Sequence, residues 1–170
     1  FSAPWWLVEN YLYKRILEVA PVHVDPFASQ KAASLESSLS ALQGSVVPLS
    51  EQEQNIEPYL LRSLWGNKAD LSLSAGQSVE DTSVGGSSDV LVDNSAAAGA
   101  LLKAGGSVVI VLDNCGLEVV CDLCLVDALL RLTACGSVCL HCKDEPVFVS
   151  DVCLHDLEPT LAWMDRNGAG

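Results

Sequence analysis

The chain has 170 residues, 49% of them hydrophobic, which is enough for one domain with a core of ordinary size. Nine basic against 22 acidic residues leave a formal charge of −13, which argues against nucleic acid or an anionic membrane as partner. The central apolar run is interrupted by Glu118, Asp122 and Asp127, so neither a membrane span nor a signal peptide is read, and a soluble, intracellular, cytoplasmic protein is expected.

From Pro4 onward, Trp5, Val8, Leu12, Ile16 and Val19 recur at helical spacing, and Pro21 follows the end. The polar positions Glu9, Tyr13 and Arg15 read as a solvated face or a buried hydrogen-bonding set, and the sequence favours the former. Asp25-Pro26-Phe27 reads as a turn, and Ala28, Ala32, Leu35, Leu39 and Leu42 mark a second helix ended by Gly44. Residues 46–54 are polar and mobile in character. A third short helix begins around Pro58 and runs to Trp65, where Gly66 and Asn67 offer left-handed backbone and an Asx turn. The same loop presents Asn67, Lys68 and Asp70 to a polar ligand in the functional reading.

Residues 74–89 are rich in glycine and serine, carry only acidic charges and lack periodicity, so they read as a flexible loop. That loop divides a helical region, 1–73, from an α/β region, 90–170. In the second region a pattern recurs: an apolar run, Asp-Asn, then a helix. Val90-Leu91-Val92 reads as a short buried strand ending at Asp93-Asn94, followed by an alanine-rich helix through Lys103. Val108–Leu112 reads as a second strand ending at Asp113-Asn114, and Gly116 opens a helix, apolar nearly all round, to about Arg131. With a strand over 137–141 this makes a βαβ unit with parallel strands. Pro146 then limits Val147–Val149 to an edge-like strand ending at Ser150-Asp151, and a last helix covers 153–164.

Carboxyl ends of strands and amino ends of helices form the crevice where ligands bind in open α/β sheets. Asp113, Asn114 and Asp151 offer hard oxygen ligands, the donor set of magnesium or manganese rather than structural zinc. The competing reading makes each Asp-Asn a turn and helix cap, and spacing alone leaves both open. Glu118 and Asp122, four residues apart in the first turns of the central helix, favour its dipole or contact a ligand beside Asp113. The seven cysteines include Cys121-x-x-Cys124 and Cys139-x-x-Cys142, which have zinc-ribbon spacing. The first pair lies in a helical pattern and the second in a strand, where an odd separation sends side chains to opposite faces. They are read as reduced core residues in a reducing compartment.

The opening PWWLVENYLYKRI, then DPFASQK, LWGNKADLS, LVDNS, VLDNCGLEVVCDLCLVDALL and PVFVSD, together resemble the metal-dependent damage-control phosphatases of the acidic residue methyltransferase type. The resemblance implies an α/β/α sandwich with a mostly parallel sheet and an added helical amino-terminal region. It implies a phosphoric monoester hydrolase acting on a small phosphorylated metabolite such as fructose 1-phosphate or fructose 6-phosphate, supported by manganese, cobalt, nickel or magnesium. The family's metal ligands and catalytic positions fall on Asp113, Asn114 and Asp151, the first two also touching substrate. Carboxyl methyltransfer from S-adenosylmethionine has been attached to such proteins as well, with the cofactor positions falling on Glu118 and Asp151. No glycine-rich methyltransferase loop follows a first strand, which weighs against that alternative. The family's Arg-Thr-x-Lys motif is not in these 170 residues. The fold is therefore expected to be incomplete at its carboxyl end, and a non-catalytic metal-binding remnant is the third reading.

Overall fold

The βαβ unit at the centre of the chain sets the rest of the architecture. The computed structural model describes residues 2–22, 24–39, 55–67 and 90–167. In chain order these form α1 (Trp5–Val19), α2 (Ala28–Ser37), α3 (Glu57–Gly66), α4 (Ser95–Lys103), β1 (Gly106–Val111), α5 (Leu117–Leu132), β2 (Cys135–His141) and α6 (Leu154–Arg166). The fold is α/β. Among the described residues the sheet is the parallel pair β1–β2, with Val108 opposite Val138 and Ile110 opposite Leu140. Residues 40–54 and 68–89, which include the expected Gly/Ser-rich loop, lie outside the described residues.

Alternation along the strands decides which face is covered. Val108, Ile110, Val138 and Leu140 pack toward the buried positions of α5, whereas Val109 and Val111 remain 56% and 75% exposed. The outer layer of a sandwich, over those two valines, is not among the described residues. The helix α5 also packs against α3. Gly66 allows that approach, since a Cβ there would meet the Glu118 Cα at 2.8 Å. Gly66 thus serves close helix packing instead of a left-handed cap, and Asn67 keeps right-handed backbone (φ −62°, ψ −13°).

Three other expectations are corrected. Val90–Val92 forms no strand: the chain bends there, Leu91 is fully exposed, and no described strand pairs with it. Val147–Val149 is a turn, because the backbone N–H groups of Val147 and Phe148 are drawn onto the Asp151 carboxylate and are not available for a ladder. In α1 most of the expected apolar face is exposed, with Trp5 and Val19 about three-quarters exposed, and of that set Ile16 is the residue that packs. The helix docks through Tyr13, Ile16 and Leu17 onto Phe27 and Val149. The Tyr13 ring meets Phe27 and Phe148 edge-on, with centroids 5.9 and 5.2 Å apart.

Cys115, Cys121 and Cys153 are buried, as core residues are, but Cys139 lies on the uncovered side of β2 and is exposed. Burial holds the Cys121 thiol far above its ordinary value, and pushes Cys124 up to about 11. No helix among the described residues is long and apolar enough to cross a membrane.

Candidate functional site

Beyond Val111 the backbone leaves β1, and the segment Ser150–Cys153 threads between it and the end of β2. Cys115 N donates to Ser150 O (2.6 Å), Val152 N to Asp113 O (2.9 Å) and Lys143 N to Val152 O (2.9 Å). This stitching carries Asp151, from a loop and not from a strand end, to the carboxyl end of β1, where it faces Asn114 in an antiparallel bridge. Gly116, at φ +86°, then turns the chain into α5, and a side chain there would run into Ser34 of α2. The amino end of a long helix therefore opens beside Asp113 and Asn114, a setting that favours anions.

Each polar group here has a defined partner. Asp151 is 2% exposed, and its Oδ2 accepts from Val147 N (2.8 Å) and Phe148 N (2.9 Å). Its Oδ1 accepts from Lys143 Nζ at 2.6 Å. The same ammonium bonds Asp113 Oδ1 and the Asp113 carbonyl, so it lies between the two carboxylates. Burial pulls the Lys143 amine down, but the hydrogen bonds to Asp113 and Asp151 outweigh it and hold the amine above its usual value. Asn114 is buried; the Ser150 hydroxyl donates to its Oδ1 (2.7 Å), and its Nδ2 donates to Glu118 Oε2 (2.9 Å) and Asn67 Oδ1 (3.4 Å). The amide is thereby fixed in one orientation, with its oxygen on the Ser150 side. Lys143 and Asp151 form one wall of an open cleft of about 480 Å³, completed by Asp144, Glu145, Val147 and Phe148.

Of the residues singled out in the sequence, Asp113, Asn114, Asp151, Glu118 and Asn67 come together. Lys68 and Asp70 lie outside the described residues. Asp93 stands apart, exposed, and its Oδ1 accepts from Ser95 N (2.9 Å), which is the turn-and-cap role. Lys143 and Ser150 were not singled out. Lys143 follows β2 by two residues, so the strand-end rule applied to the acids would have found it had it been extended to basic residues.

Whether a divalent cation suits the site is answered by its donors and by what stands among them. Asp113 Oδ1, Asp151 Oδ1 and Asn114 Oδ1 are hard oxygens, and a positive charge already bridges the two carboxylates. The residues fit such an ion. A second group, Cys153, His155 and Asp156, offers ligand atoms within 4.8 Å of one another. There Lys31 Nζ already pairs with Asp25 (2.6 Å) and Asp156 (2.8 Å), and burial pushes the Cys153 thiol up to about 11. That group is organised as an internal salt bridge.

A family model described as the damage-control phosphatase ARMT1-like domain matches residues 2–168. Curated relatives named damage-control phosphatase ARMT1 align over 99% of the chain. The zebrafish (Danio rerio) protein is 35% identical, the human (Homo sapiens) 34% and the Xenopus tropicalis protein 32%. The alignments cover 47%, 47% and 48% of those proteins respectively, so the chain spans about half the length of the curated relatives it matches.

Proposed function

The chain belongs to the damage-control phosphatase ARMT1-like family, and we propose that it hydrolyses the phosphate monoester of a small metabolite at the carboxyl end of β1. The observation that carries this reading is the pairing of Asp113 and Asp151 around a bridging positive charge, with Asn114 bridged to Asp151 through the backbone beside a helix amino terminus. Asp113, Asn114 and Asp151 would hold a divalent ion, with manganese, cobalt, nickel and magnesium all compatible with an oxygen donor set. Such an ion, when bound, polarises phosphoryl oxygens and lowers the pKa of water.

The chain's own residues supply orientation. Val147 N and Phe148 N fix Asp151 through Oδ2 and leave Oδ1 turned toward the cleft. Ser150 and Glu118 clamp the Asn114 amide, and the amino end of α5 favours the phosphate charge. Asp144 and Glu145 in the same cleft repel a phosphate but accept hydrogen bonds from hydroxyl groups, and Val147 and Phe148 add an apolar wall. A polyhydroxylated phosphate ester suits that division, which favours fructose 1-phosphate or fructose 6-phosphate as substrate.

The test is phosphate release from fructose 1-phosphate with manganese, comparing the wild type with Asp113→Asn and Asp151→Asn. Each substitution is expected to lower kcat/KM by a factor of about 100 or more, as removal of one charge-stabilising group does. Activity surviving both would sink the assignment.

A further inference from the structure

Resting on the reading of Asp113, Asn114 and Asp151 as metal ligands, we propose that the Lys143 ammonium is the resident counter-ion of that site. It holds the two carboxylates together in the metal-free chain, and a divalent cation must displace it to bind.

The geometry is that of a fully engaged ammonium. Lysine has three N–H donors, and Lys143 has three acceptors: Asp113 Oδ1, Asp113 O at 3.3 Å and Asp151 Oδ1 at 2.6 Å. The other oxygen of Asp151 is committed to two backbone N–H groups, so the oxygen that Lys143 occupies is the one left for an ion. Cation and ammonium therefore compete for Asp151 Oδ1.

The backbone of Lys143 is anchored by its N–H on Val152 O (2.9 Å), so the root of the side chain stays in place whichever cation is bound. The four-carbon stem is flexible, and the open cleft beside it gives the ammonium room to leave without any backbone shift. Without a positive charge, Asp113 and Asp151 would repel one another across the site. Lys143 thus keeps the ligands assembled, at the cost of weaker metal binding. If it is engaged about nine-tenths of the time, the apparent affinity for the ion falls about tenfold.

This predicts a sign that a purely structural lysine would not give. Manganese binding is measured by calorimetry and by loss of the free-ion electron paramagnetic resonance signal, on wild type, Lys143→Met, Lys143→Gln and Lys143→Arg, with circular dichroism to establish folding. The folded Met or Gln variant is expected to bind manganese about tenfold more tightly than wild type, while the Arg variant, which keeps the charge, does not gain. Tight binding in a neutral variant with none in wild type gives the same support. Equal or weaker binding in both neutral variants overturns the counter-ion role and leaves the ligand reading standing, which Asp151→Asn checks separately by losing manganese. Absence of binding in all four proteins overturns the ligand reading and the counter-ion role together.

Discussion

Two lysines in this molecule each sit between two aspartates, and their surroundings differ. Lys31 pairs with Asp25 (2.6 Å) and Asp156 (2.8 Å), and the three side chains are only 4%, 4% and 13% exposed. Lys143 pairs with Asp113 and Asp151; the Asp151 side chain is itself 3% exposed, but the lysine is one-third exposed and Asp113 more than half. The first group joins α2 and the Asp25 turn to the start of α6, where Asp156 also accepts from Cys153 N (2.9 Å). The second lines an open cleft. Equal chemistry gives a staple where water is excluded and an exchangeable cation where it is not, because a buried charge cannot leave its partner without great cost.

The largest effect should come from breaking the buried group. Lys31→Met removes the ammonium shared by two largely buried carboxylates and is expected to cost about 3–5 kcal/mol in urea unfolding, against about 1–2 kcal/mol for Lys143→Met without metal, where the exposed Asp113 is hydrated and Asp151 keeps two backbone N–H donors. Equal losses would erase the distinction. The buried group should also resist acid. Burial raises the Asp25 carboxyl, but hydrogen bonds from Lys31 and Phe27 more than offset it and keep the group below its ordinary 3.8. Its contribution is present above that value and is lost only as the pH falls through the lowered one.

Asp122 shows what happens to a buried carboxylate held by a hydroxyl in place of an ammonium. Ser63 donates to it at 2.5 Å, yet burial pushes its pKa up to about 6. With the folded value raised above 3.8, stability falls as the pH rises from about 4 to 6, and the penalty persists above that. Asp122→Asn keeps an acceptor for Ser63 and removes the charge. It should match wild type near pH 4 and exceed it by on the order of 2 kcal/mol at pH 7.5, read from urea midpoints at the two values. A variant no more stable at pH 7.5 would show that this carboxylate is better compensated than its burial implies.

The two aspartate–lysine groups were unequally legible in the sequence. Asp113 and Asn114 stood out because an apolar β-branched run ends on them, and Glu118 because helical spacing puts it one turn along. Lys143 and Lys31 did not, since a lysine among acids reads as a solvated charge until the fold closes around it. Lys31 and Asp156 are 125 residues apart in the chain, and no local pattern encodes that pairing. The apolar Val147–Val149 reads as a strand that ends on Asp151, whereas the Val147 and Phe148 N–H groups serve its carboxylate. In α1 the hydrophobic period includes Ile16, which docks, but the packed face is shifted toward Tyr13 and Leu17 and leaves Trp5, Leu12 and Val19 exposed. Tyr13, read as solvated, packs against Phe148 in the loop that carries Asp151, so the helix supports the site from behind.

The smallest effect lies at the exposed end of the same series. Arg131 and Asp127 are four residues apart on α5, with a 2.5 Å contact and side chains about half exposed or more. Both charges stay solvated with or without the contact, so the attraction is screened by water and salt and offset by the entropy of holding two mobile side chains. Asp127→Ala should therefore cost only about 0.3–0.5 kcal/mol in urea unfolding, and that loss should shrink as salt is raised. The Lys31 loss should persist in the same salt series, because ions do not reach a group that is 4% exposed. If Lys31→Met were as salt-sensitive as Asp127→Ala, burial would not separate staple from exchangeable cation, and the contrast between Lys31 and Lys143 would have to rest on something other than access to water.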